Sequence, residues 1–309
     1  MATNAQDKSE GEVREGFVPV PGGRVWYRIV GADRTGIPLL ALHGGPGVTH
    51  DYLEPLEELA DERPVAFYDQ LGSGRSDHPA DPALWTLERF VEELDLVRRA
   101  LGLGQVHLLG QSWGSMLAVE YLLTRRPEGV RGLVLSGPCL SASRWAADQR
   151  AYMAQMPPEV RRVLAEAEAA KDFSSPRAQE AMMAYYRRHV CRLDPWPDCL
   201  QRSFSRLNMA VYGKMWGPSE FTVTGTLKDF ERAERLGELR VPALFTAGRY
   251  DEATPAAAEH YRSRLPGARL AVFEEASHSH HVEKREEYLG TVRAFLREAS
   301  AAAPAQGLR

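Results

Sequence analysis

A chain of 309 residues with 44% apolar and 26% charged residues can bury a full core, as one large domain or one domain with an insertion. A net charge of −4 leaves no basic footprint for nucleic acid or an anionic membrane, and no apolar run of about 18 residues is present to span a bilayer. Residues 1–15 are polar and mixed in charge, with no signal-peptide core, so a cytoplasmic protein is the expectation.

Residues 1–15 and 299–309, rich in small and polar side chains, read as flexible termini. Phe17-Val18-Pro19-Val20 and Val25 to Val30 flank Pro21-Gly22-Gly23, which predicts a β-hairpin. Pro38-Leu39-Leu40-Ala41-Leu42 is a continuous apolar run, the pattern of a strand covered on both faces, and it leads into His43-Gly44-Gly45-Pro46-Gly47. A short helix over residues 51–60 precedes a second buried strand, residues 64–68. From Thr86 to Leu101, Leu87, Phe90, Val91, Leu94, Val97 and Leu101 recur at spacings of three and four, which predicts a helix laid on a sheet.

A further strand, Val106-His107-Leu108-Leu109, runs into Gly110-Gln111-Ser112-Trp113-Gly114 and then a helix-forming stretch. Residues 130–135 form the next strand. Strands alternating with helices at this spacing predict an α/β fold with a mostly parallel sheet and helices on both faces. The alternation lapses over residues 138–230, which are read as a helical cap insertion with helices over 144–171 and 176–190. The core is then 16–137 together with 231–298. The strand pattern resumes at residues 242–248, Thr254-Pro255 starts a helix, residues 268–273 form the last strand and 286–298 the closing helix.

A serine between two glycines at a strand-to-helix corner has the form of a nucleophile elbow: the turn leaves no room for flanking side chains, and the hydroxyl projects from the sheet edge. Serine needs a base, and the base needs an orienting acid. Asp251 follows one late strand and His278 the next, in the chain order this arrangement requires. His280 and His281 are rivals for the base, and the run 278–281 raises metal binding, which is not the expectation because no further cluster converges on it. The HGGPG loop suits an oxyanion hole, with the N–H groups of Gly44 and Trp113 as donors. Cys139, Cys191 and Cys199 show no CxxC spacing and are expected as free thiols, although a Cys191–Cys199 disulfide is conceivable.

Together the HGGPG loop, Asp69-Gln70-Leu71-Gly72-Ser73-Gly74-Arg75-Ser76 and Gly110-Gln111-Ser112-Trp113-Gly114-Ser115 resemble the proline iminopeptidase family of α/β-hydrolases, over nearly the whole chain. Leu71 departs from the arginine many members carry there. Residues 217–225 and Gly248-Arg249-Tyr250-Asp251-Glu252 are similar to the broad-specificity, tricorn-interacting aminopeptidase branch. That resemblance implies that Glu220 and Glu252 hold the substrate's free α-amino group. Fixed carboxylates are also a physically apt way to tell a terminal ammonium from an internal amide. Trp216 and Tyr212 are candidates either for the pocket or for the core of the insertion.

The expected function is a serine hydrolase that releases an N-terminal amino acid, proline or another small apolar residue, through an acyl-enzyme. The substrate is a small peptide or aminoacyl amide with a free amino group, and no cofactor, metal, nucleic acid or membrane is expected. One alternative is removal of an aminoacyl group from a non-peptide amide such as a biosynthetic intermediate. The other is a carboxylesterase, which requires Glu220 and Glu252 to point away from Ser112.

Overall fold

Parallel strands that share one direction gather their C-terminal ends on a single edge, and the motifs of this chain fall at that edge. The structure, a computed structural model, describes residues 11–302 apart from Lys171. The strands are β1 (Val13–Val20), β2 (Gly23–Val30), β3 (Leu39–Leu42), β4 (Val65–Tyr68), β5 (Val106–Gln111), β6 (Val130–Ser136), β7 (Ala243–Gly248) and β8 (Arg269–Phe273). They form one sheet in the order β1-β2-β4-β3-β5-β6-β7-β8. The hairpin β1–β2 is antiparallel, as is the pairing of β2 with β4, and every other pairing is parallel.

The helices are α1 (Leu87–Ala100), α2 (Trp113–Arg125), α3 (Ala142–Ala154), α4 (Pro158–Ala170), α5 (Pro176–His189), α6 (Asp198–Ser205), α7 (Met209–Met215), α8 (Pro255–Arg264), α9 (His280–Glu283) and α10 (Arg285–Ala301). Alternation along the strands sends side chains to two cores. Leu40, Leu42, Leu108, Leu133 and Leu135 pack with Val97, Leu117 and Tyr261 from α1, α2 and α8. Leu39, Ala41, Leu109 and Val134 pack on the other face with Leu53, Leu56, Leu289 and Val292. Each such side chain, fully buried, contributes roughly 2 kcal/mol. No helix among the described residues is long and apolar enough to cross a membrane.

Several boundaries differ from expectation. β1 begins at Val13, because Val13 to Val20 pair in full register with β2, so part of the expected flexible N-terminus is sheet. The closing helix continues to Ala301, with Ala299 buried against the sheet, so the first part of the expected flexible tail is helical; residues 1–10 and 303–309 lie outside the described residues. The helix expected over 144–171 is two, α3 and α4, parted at Met156-Pro157-Pro158. Proline cannot donate the hydrogen bond that a helix interior needs, and here Pro158 opens the second helix instead. The short helix expected over residues 51–60 is a 3-10 helix, His50–Asp61, with Pro55 inside it. Thr254 caps α8 as expected, its hydroxyl accepting from the Ala257 N–H at 3.1 Å.

Candidate active site

Ser112 stands between β5 and α2 with φ 54° and ψ −121°, a strained conformation for a non-glycine residue. The neighbouring glycines are obligatory. A Cβ on Gly110 would lie 2.3 Å from the Gly114 carbonyl oxygen, and one on Gly114 would lie 2.1 Å from that of Leu42. β3 and α2 therefore touch backbone to backbone. Ser112 N–H donates to the Ser136 carbonyl at 3.0 Å, which ties the corner to β6. Ser112 keeps partial exposure at the floor of a cavity of about 400 Å³ including its open mouth.

That cavity is lined by Ser112 and His278, by Glu220 and Glu252, by Gly45, Tyr52 and Gln111, and by the apolar Val48, Val190, Leu200 and Phe204. His278 is 6% exposed, and its Nδ1 meets Asp251 Oδ1 at 2.7 Å. Asp251 is fully buried and further satisfied by the N–H groups of Gly248 at 3.2 Å and Ala253 at 2.7 Å. Burial alone would raise the Asp251 carboxyl, but His278 and, more distantly, His280 hold it down at about 2. Burial disfavours the His278 imidazolium, yet the adjacent Asp251 carboxylate leaves its pKa above the ordinary 6.5.

The neighbouring histidines have other tasks. His280 Nε2 meets Ser136 Oγ at 3.0 Å and Thr246 Oγ1 at 2.9 Å, while its Nδ1 donates to the Ser277 carbonyl. His281 Nε2 donates to the Tyr52 carbonyl, and burial pulls this imidazole down to about 3. The hydrogen bonds of His280 and His281 thus go to partners other than that of His278, although His280 Nδ1 also lies 3.5 Å from Asp251 Oδ2. Among the described residues, His50, Asp51 and Glu54 are grouped closely enough to hold a metal ion, but His50 is committed to Asp69 at 2.8 Å, and Arg202 and Arg206 flank Asp51.

The oxyanion loop departs from expectation at one residue. Gly44 N–H donates to the Tyr52 hydroxyl at 2.7 Å, and that hydroxyl donates in turn to Gln111 Oε1, so the Gly44 donor is already engaged. It is Gly45, in the left-handed region at φ 104° before a cis-proline, that lines the cavity beside Ser112. Trp113 opens α2, where a backbone N–H has no partner inside the helix. Its indole donates to Gln70 Oε1 at 2.8 Å, and Gln70 Nε2 donates to the His43 carbonyl at 3.0 Å, so one amide ties the start of α2 to the HGGPG loop. Below them His43 Nε2 accepts from Gln70 N–H, and burial lowers this imidazole to about 4, keeping it neutral.

Glu252 is 1% exposed, and its Oε2 has no hydrogen-bond partner among the described residues. Burial first, then the Glu220 and Asp251 carboxylates, push its pKa well up. Burial also raises Glu220, against the pull of the Tyr212 hydroxyl and His278. Two ties seat these carboxyls. The Trp145 indole donates to the Glu220 carbonyl at 2.8 Å, and Gln149 Nε2 donates to that of Glu252 at 2.9 Å. The carbonyl of His189, the last residue of α5, accepts from both Glu252 N–H at 3.2 Å and His278 N–H at 3.1 Å. Trp216 and Tyr212 are buried in the core instead of lining the cavity, with Trp216 edge-on to Trp145. Sequence reasoning missed Tyr52, Val190, Leu200 and Phe204. For Tyr52 the available signal was its place one turn into the helix after the HGGPG loop. The cysteines are free.

Residues 37–285 match the family model described as alpha/beta hydrolase fold. A proline iminopeptidase of Heyndrickxia coagulans is 44% identical over 283 residues, covering 91% of this chain and 98% of that one. A second, from Lactobacillus crispatus, is 39% identical over 289 residues, with 92% and 98% covered. The crystal structure of VinJ superposes with a TM-score of 0.89 at 38% identity, covering 93% of this chain and 99% of that one. The proline iminopeptidase of Mycobacterium smegmatis does so at 0.84 and 37%, with the same coverage. A strained serine at a glycine corner, an Asp–His pair after β7 and β8 and likeness over nine-tenths of the chain agree: the chain belongs to the proline iminopeptidase family of α/β-hydrolases.

Proposed function

We propose that this protein is a serine aminopeptidase that removes an N-terminal residue, proline foremost, from small peptides or amides bearing a free amino group. The observation that carries this reading is the pair of carboxyls, buried Glu252 and half-buried Glu220, on the same small cavity as Ser112 and His278. A buried carboxyl oxygen without a partner is costly in an empty site, and a substrate ammonium supplies the missing donors. The same position on the cavity argues against the carboxylesterase alternative.

In this reading Ser112 Oγ attacks the carbonyl while His278 Nε2 takes its proton, and Asp251 fixes the tautomer that leaves Nε2 free. The N–H groups of Trp113 and Gly45 hold the developing oxyanion, in place of Trp113 and Gly44. His278 then protonates the leaving amine, and water hydrolyses the acyl-enzyme by the reverse sequence. The apolar wall of Val48, Val190, Leu200 and Phe204 suits a small uncharged side chain or ring. The helices between β6 and β7 act as a cap that limits substrate size, with residues 138–230 as its extent.

The test compares prolyl and alanyl arylamides with their N-acetylated forms. The free amines are expected to react faster by roughly 30-fold to several thousand-fold, the span for stranding a buried charge without its partner. Equal kcat/KM on both would discard the amine anchor.

A further inference from the structure

We propose that Glu252 also gates the base: in the empty site it engages His278, and the arriving ammonium releases His278 to Ser112. This rests on the amine-anchor reading above and adds to it that the ammonium switches on the chemical step as well as fixing the substrate.

His278 has one nitrogen committed, Nδ1 to Asp251, so everything the base does must pass through Nε2. Glu252 Oε1 stands 3.7 Å from that atom, within a small side-chain adjustment of a hydrogen bond. The backbone of Glu252 is fixed on both sides, by His189 and by Gln149, so the carboxyl is the part free to turn. Its other oxygen is buried and unpartnered, so nothing among the described residues holds it away from the imidazole. The charged and titratable groups facing this pair include Asp251 beneath, His280 with its Nδ1 3.5 Å from Asp251 Oδ2, Glu220 and Tyr212 from the chain before β7, Tyr152 from α3, Tyr185 and Tyr186 from α5, and Glu283 from α9. Three carboxyls crowded around one imidazole in a buried site retain a proton between Glu252 and Nε2.

The consequence does not depend on which atom carries that proton. On Glu252 it is donated to the Nε2 lone pair; on Nε2 the lone pair is already used. Either way the nitrogen cannot accept from Ser112. A substrate ammonium entering between Glu220 and Glu252 gives its N–H donors to the carboxylates, and the shared proton leaves to solvent. One bound proton is exchanged for one bound cation, and the Nε2 lone pair becomes available. Peptides without a free amine would therefore be rejected through kcat as well as KM.

The experiment follows acylation of Ser112 by p-nitrophenyl acetate, which has no amine, at fixed pH and ionic strength. n-Propylammonium chloride is titrated in, with tetramethylammonium chloride as the ionic control. The native enzyme is expected to acylate faster with propylammonium, on the order of 10²-fold, the low end of a general base's contribution, and not with the control. Glu252→Leu, which cannot bond to Nε2, is expected to show the faster rate without amine and no further response. A native rate indifferent to propylammonium overturns the gate whether or not the variant folds. The variant's KM for a prolyl arylamide reads the anchor separately: a raised KM with no amine activation would keep the anchor and sink the gate, and an unchanged KM would sink the anchor.

Discussion

Asp251 and Glu252 are adjacent in sequence and lie in opposite halves of the site. The Asp251 carboxylate receives His278 and the N–H groups of Gly248 and Ala253, and its pKa is held at about 2. Glu252 has equal burial, a bare oxygen and a pKa pushed upward. The difference lies in who supplies the donors. A carboxylate supplied with donors by its own loop stays charged, whereas one without them is pushed toward its neutral form. In the proposed reading the first orients the base and the second receives the substrate's ammonium.

The largest expected effect breaks the triad half alone. Ser112→Ala is expected to lower kcat on a prolyl arylamide on the order of 10⁶-fold, and adding His278→Ala should cost little more, because the two act as a unit. Steady-state kinetics of the single and double variants check this, and additive losses would separate the two residues. A smaller effect breaks the receptor half. Glu220→Gln is expected to reduce the preference for free-amine over N-acetylated substrate by roughly 10- to 100-fold, with the acetylated rate nearly unchanged, as measured by the ratio of kcat/KM values.

The smallest effect sharpens the contrast, since the neighbours should respond with opposite signs. A carboxyl whose folded pKa is depressed stabilises the protein above its unfolded value of about 3.9 and loses this as pH falls through the folded value. One whose folded pKa is raised favours folding at low pH and loses that as pH rises through the raised value. Asp251→Asn should therefore lower Tm at neutral pH. Glu252→Gln should raise it, by a gap that widens toward alkaline pH and closes below about pH 4. Each change corresponds to about 1–3 kcal/mol, the cost of a buried group gaining or losing its partners, and is measured by thermal melts across pH. Same-sign shifts would erase the contrast.

The parts of the site that lie within one short stretch could be read from the chain. The corner at Ser112 is dictated by Gly110 and Gly114, whose replacement would drive a Cβ into backbone, so the pattern of residue types carries the geometry. Asp251 and His278 follow from chain order and strand ends. The engagement of the Gly44 N–H is not legible in its own loop, because the contact comes from outside it: Tyr52, in the first turn of the 3-10 helix His50–Asp61, takes that N–H. The same holds for the cavity wall. Val190, Leu200 and Phe204 sit beyond α5 and on α6, and no local pattern reports that they face Ser112. The break between α3 and α4 was legible in Pro157-Pro158, but the strong helix formers on both sides outweighed it.

A single carbonyl, that of His189, holds the backbone N–H groups of His278 and Glu252 together, and the Val190 carbonyl adds a grip on Ser279 at 2.9 Å. A displacement of the end of α5 would therefore pull on the backbone of His278, Ser279 and Glu252 at once. Chimaeras that trade the roof between relatives would have to carry this seam intact, or they would inherit a well-folded hydrolase with a misaimed base.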